Sequence, residues 1–69
     1  MDLNVKLEVA LDIMSAKIAL ESQKGNTPDS DIMRTLQEEK KKMYDCDEEI
    51  LNKIIDVYGE ELKREYKES

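Results

Sequence analysis

The first third of the chain carries apolar residues on two faces of one helix. From Leu3 to Leu20 neither glycine nor proline interrupts it. Leu3, Leu7, Leu11, Met14 and Ile18 form one stripe at helical spacing, and Val5, Val9, Ile13, Ala16 and Leu20 form a second. Asn4, Glu8, Asp12 and Ser15 separate the stripes on one side, and Lys6 and Lys17 lie between them on the other. A helix on the surface of a domain needs a single apolar stripe. A helix with two is either central in its own fold or attached to another chain. The expectation is that the first stripe faces the chain's own helices. Val5, Val9, Ile13, Ala16 and Leu20 then form an interface, by default with a second copy in a homodimer.

Size sharpens this expectation. The 69 residues allow one domain, 1–69, with a small core. One cysteine excludes an internal disulfide, and the absence of histidine excludes His-based zinc sites. Without Phe or Trp the core must be built from Leu, Ile, Val, Met and Ala with some Tyr. Association is the remaining common aid to the stability of so short a chain. Charged residues make up 41% of it, with two glycines and one proline, a composition that favours helix.

Punctuation divides the chain into three helices. Asp2 is placed to cap the first, about 3–24, and Gly25 fits the left-handed position just past its end. In Asn26-Thr27-Pro28-Asp29, Thr27 reads as an N-cap and Pro28 as the first residue of a helix over about 28–43. Its apolar stripe is narrow: Ile32, Met33, Leu36, Met43 and Tyr44, interrupted by Lys40. Asp45 with Glu48 resembles a capping box for a third helix over about 47–66. Ile50, Leu51, Ile54, Ile55, Val57, Tyr58, Leu62 and Tyr66 give that helix one broad face, and Gly59 interrupts without breaking its phase. The fold expected is all-α: a small three-helix bundle or helical hairpins, completed by homo-oligomerisation.

The inventory for chemistry is thin. No histidine is available as a general base or as partner to a nucleophile. Most carboxylates fall on faces expected to be solvated, and no glycine-rich phosphate loop is present. Asp45, Asp47 and Glu49 alternate like the start of an EF-hand loop, but Ile50 stands where its glycine is needed. Cys46 lies among carboxylates that oppose thiolate formation. Lys40-Lys41-Lys42 has Glu38 and Glu39 within a turn and no interleaved aromatics, so it reads as a solvated face. Met14, Met33 and Met43 read as core filler. No catalytic residue, cofactor or metal is therefore expected.

The net charge of −6 is uneven: residues 45–69 carry nine acidic and four basic side chains. That surface repels phosphate backbones and acidic membranes, and suits a basic protein partner. No apolar run reaches membrane-spanning length, and the N-terminus lacks the basic and apolar regions of a secretory signal. With a lone cysteine, the expected compartment is the cytoplasm. The chain reads as a non-enzymatic, acidic interaction or regulatory module.

One alternative remains open. Leu3-Asn4-Val5-Lys6-Leu7-Glu8-Val9 alternates with a period of two, a helix then ends at Gly25, and Thr27-Pro28 opens another. This layout over Leu3–Met43 resembles the ribbon-helix-helix DNA-binding dimers. The resemblance implies a strand over 3–11 that pairs across a dimer, with Asn4, Lys6 and Glu8 in the major groove. The chain departs from that pattern: nothing breaks strand from helix, the ribbon carries one Lys and one Glu, and a third helix follows.

Overall fold

A carboxylate and a glycine bound the longest helix. In the computed structural model, which describes residues 2–68 and the side chains of residues 2–65, α1 spans Leu3–Gln23. The Asp2 carboxylate accepts from the Asn4 N–H at 3.4 Å, and the Asp2 carbonyl from the Lys6 N–H at 2.9 Å. At the other end Gly25 adopts φ +96°. The Asn26 N–H donates to the Glu21 carbonyl and the Gly25 N–H to that of Ser22, both at 3.1 Å, which is the Schellman arrangement. Residues 3–11 are thus helical, and the described residues contain no strand. The strand expected from the ribbon-helix-helix resemblance does not form. A strict alternation also lays two stripes along a helix, and here both edges of α1 meet neighbours.

The next two junctions differ from the sequence expectation. The Ser30 N–H donates to the Thr27 carbonyl at 3.0 Å, closing a turn with Pro28 in its second position. α2 then begins three residues later than expected and spans Asp31–Tyr44. Ser30 is its N-cap, with Oγ accepting from the Met33 N–H at 3.4 Å and donating to the Thr27 carbonyl at 2.8 Å. Proline's fixed φ suits that turn position as well as a first helical turn, so the sequence alone could not separate the two. At the far end of α2, Cys46 takes the left-handed conformation, φ +59°. Its N–H donates to the Met43 carbonyl at 2.9 Å, and the Asp47 N–H to that of Lys42 at 3.4 Å, repeating the α1 ending without a glycine. Asp45 belongs to this ending. Asp47 caps the next helix instead, accepting from the Glu49 N–H at 3.1 Å.

The third helix runs in three segments: α3 over Glu48–Lys53, a π-helical turn over Ile54–Tyr58, and α4 over Gly59–Glu68. Gly59 keeps right-handed helical angles, and its N–H donates to the Ile54 carbonyl five residues back. The helix therefore continues through the glycine, by way of one wider turn. The Tyr66 side chain, expected on the apolar face, lies outside the described residues.

α1 is the central element. It lies against α2 and against every segment of the third helix, whereas the backbone of α2 comes close to α1 and α3 alone among the described residues, and its Glu39 side chain reaches Tyr58 of the π turn. Ala10, Met14, Met33, Leu36, Met43, Leu51, Ile54, Tyr58 and Leu62 are buried. Leu7, Leu11, Ile13, Ile18, Ile50 and Ile55 pack against this core from its margins. The molecule is only 14 Å thick through its Cα atoms. Two layers of helix at an interaxial distance of about 8–10 Å give that thickness, so the core is a single seam.

Two backbone positions test these turns. Replacing Cys46 by Gly should raise stability by about 1 kcal/mol, because an L-residue in the left-handed region carries a steric cost that Gly avoids. Gly25→Ala should lower it by a similar amount, although a Cβ there meets open space. In a domain of this size, thermal midpoints should move by about 4–8 °C in opposite directions. Equal and small shifts in both would count against the two left-handed endings.

Candidate functional site

The buried row of α1 includes Met14 of the first stripe and is partly charged. Ala10, Met14, Lys17 and Glu21 follow one another at helical spacing and are all buried. Lys17, expected on an outer ridge, therefore faces inward. On α2 the row Met33, Leu36, Met43 is completed by Glu39, 5% exposed, where an apolar residue would ordinarily stand. Tyr58, at the end of the π turn, comes from the third helix to meet both.

These residues form a continuous polar network across the seam. Glu39 Oε1 accepts from the Tyr58 hydroxyl at 2.5 Å, and its Oε2 from Lys53 Nζ at 2.6 Å. The Lys17 and Lys53 ammonium groups each stand 5.7 Å from the centroid of the Tyr58 ring. At that distance the electron-rich ring face attracts a cation. Lys17 Nζ pairs with Glu21 at 3.0 Å and with Glu61 of α4 at 2.9 Å. Glu21 also accepts from Asn26 Nδ2 at 2.7 Å, so the ending of α1 helps to fix its carboxylate. Lys24 extends the network to Glu21 at 3.6 Å and Glu65 at 3.2 Å. Beside it opens a shallow cleft of about 450 Å³, lined by Lys17, Lys24, Glu61, Arg64 and Glu65.

The protonation states follow from these contacts. Burial alone would push the Lys17 ammonium down, but Glu61 and Glu21 outweigh it and hold the group above its ordinary value of 10.5. Burial would likewise push Glu21 up, and Lys17 and Lys24 hold it below its ordinary 4.5. Tyr58 is raised well above its ordinary 10.0, first by burial and then by its bond to the Glu39 carboxylate. No fully buried side-chain nitrogen or oxygen among the described residues lacks a hydrogen-bond partner. The network thus spends its donors and acceptors on itself. It ties α1, α2 and the third helix to one another through polar contacts.

The five residues expected at an interface divide. Val5 is 44% exposed; Val9, Ala16 and Leu20 are half-buried. Ile13 packs on the chain's own core, and its Cδ1 comes within 3.5 Å of where a Cβ on Gly59 would stand. Lys17, Glu21, Glu39, Lys53 and Tyr58 do not stand out as a group in the sequence. The signal was present as charge inside an apolar row, at position 39 of α2 and positions 17 and 21 of α1.

Two predictions concern this network. Glu39→Ala should destabilise the fold by about 2–3 kcal/mol, mostly because the buried Tyr58 hydroxyl is stranded. Lys53 is half-exposed and regains water. Tyr58→Phe should cost about 1 kcal/mol, since Glu39 keeps Lys53. Denaturant unfolding of both variants and of the double variant should show coupling between the two sites; strict additivity would rule out the bond as a stabilising contact.

The second concerns pH. Glu21 has a depressed pKa, so its contribution is present above about pH 4.5 and is lost as pH falls through its folded value. Tyr58 and Lys17 have raised values, so theirs are present below about pH 10 and are lost as pH rises through the folded ones. From these three groups stability should be flat between the limits, and Tyr58→Phe should shallow the alkaline fall.

The chain matches no protein-family model, no curated protein and no solved structure.

Proposed function

We propose that this protein is a small, non-enzymatic helical interaction module that self-associates through α1 and acts by binding another macromolecule. The observation that supports this reading is the unequal use of the second α1 stripe. Ile13 is absorbed by the chain's own core, while Val5 remains 44% exposed and Val9, Ala16 and Leu20 are half-buried along the same face. Leu3, 37% exposed, adds to the apolar surface at the start of α1. Burial of each such side chain is worth about 1.5–3 kcal/mol. A domain of this size has total stability of only about 3–10 kcal/mol. A second copy covering this face would therefore be a large fraction of the fold's stability. The acidic C-terminal third stays free for a basic protein partner. Cys46, exposed and alone, suits a reducing compartment such as the cytoplasm. No helix among the described residues is long and apolar enough to cross a membrane.

Sedimentation equilibrium tests the reading. The unmodified protein should sediment as a dimer, and Val5→Asp with Val9→Asp should give a folded monomer with an unchanged helical circular-dichroism spectrum. These two positions are the informative ones, because an Asp at Ile13 would damage the core directly. A unmodified chain that stays monomeric at high micromolar concentration would overturn the proposal.

A further inference from the structure

We infer that α4 is a salt-sensitive latch over the C-terminal half of α1, hinged at the π turn and Gly59, and that its opening uncovers the row of α1 that holds Leu20. The consequence for association rests on the reading above; the latch itself stands on separate contacts.

Four observations lead to it. First, few contacts hold the part of α4 whose side chains are described. Among the described residues its backbone approaches α1 and the π turn but not α2. From Gly59 to Glu65 its one large apolar residue is Leu62, which is buried. Second, the ion pairs that join it to α1 among the described residues are Lys17–Glu61 at 2.9 Å and Lys24–Glu65 at 3.2 Å; Lys17 is 9% exposed, but the two carboxylates are 42% and 46% exposed and Lys24 is 45% exposed. Carboxylates so exposed are screened by salt, the Lys24 pair most of all. Third, the segment begins at a point of low helical cost to open. A five-residue hydrogen bond closes on Gly59, the residue with the weakest helix propensity after proline. Fourth, Ile13, Lys17, Leu20 and Lys24 follow one another on α1 at helical spacing, so they share a row. Ile13 approaches Gly59, Lys17 holds Glu61 and Lys24 holds Glu65. Leu20, half-buried, shares that row between the two lysines. Closed, the latch lies along the row of α1 that holds Leu20. Open, it releases that row while Glu39, Tyr58 and Lys53 keep the rest of the seam together.

Native-state amide hydrogen exchange on the full chain tests this. Residues 60–65 should exchange through a local opening, faster than the buried rows of α1 and α2. Raising salt to about 1 M should speed their exchange by roughly tenfold, as expected for the loss of two partly exposed pairs, with the core rows unaffected. Glu61→Gln with Glu65→Gln should reproduce the effect at low salt. Glu48→Gln with Glu49→Gln makes the same charge change elsewhere and should not. If α4 exchanges only together with α1 and α2, in every variant and at every salt, it is part of the cooperative core and the latch is refuted. Sedimentation of the Glu61→Gln, Glu65→Gln variant separates the two proposals. Tighter self-association than the Glu48→Gln, Glu49→Gln control supports the latch as a regulator, whereas local opening with a monomeric chain keeps the latch and removes self-association.

Discussion

A carboxylate at 5% exposure inside a one-seam core is tolerable only if its charge is answered on the spot, and Glu39 is answered from the third helix. Tyr58 donates to one oxygen and Lys53 to the other. An apolar residue at position 39 would accept many neighbours at many offsets. A carboxylate accepts a donor pair in one geometry. The register of α2 against the third helix therefore depends on it. Breaking such a contact strands a buried group, so it penalises alternatives more than it strengthens the native state.

The same logic carries to α1. Tyr58 is the joint between two charged clusters: its hydroxyl belongs to Glu39, and its ring face lies beneath the Lys17 ammonium. Lys17 in turn gathers Glu21 from its own helix and Glu61 from α4. Every element except α3's first turn is thus tied to the tyrosine within two contacts. In a chain with no Phe or Trp, the one buried aromatic among the described side chains works as a hub of electrostatic contacts as well as a filler of volume.

This arrangement also accounts for the double stripe of α1. A helix wedged between two others in two layers buries the line facing the seam and leaves both flanks half-covered. Leu7, Leu11 and Ile18 on one flank and Ile13 on the other pack on the core, while Val5 at the open end of the second flank does not. From sequence, two stripes mean either a central helix or one attached to another chain. In the structure α1 is central, and Val5 near its N-terminal end stays exposed.

Local chemistry alone determined much of the architecture. Asp2 and Gly25 bound α1 because an orphan N–H and a left-handed turn each require a particular residue type, and both requirements are local. The all-α class follows from uninterrupted periodicity in the same way. Where two local solutions share one residue, the sequence was silent: Pro28 fits a turn and a helix start, and Asp45 and Asp47 both offer a cap. Tertiary structure decided those cases, and it alone decided the network. Lys17, Glu21 and Glu39 are ordinary surface residues by type, and only the contacts between helices distant in sequence supply the donors and carboxylates that make their burial affordable in free energy. Periodicity marks which face of a helix is apolar, but a charge on that face becomes buried only when another element brings its partner.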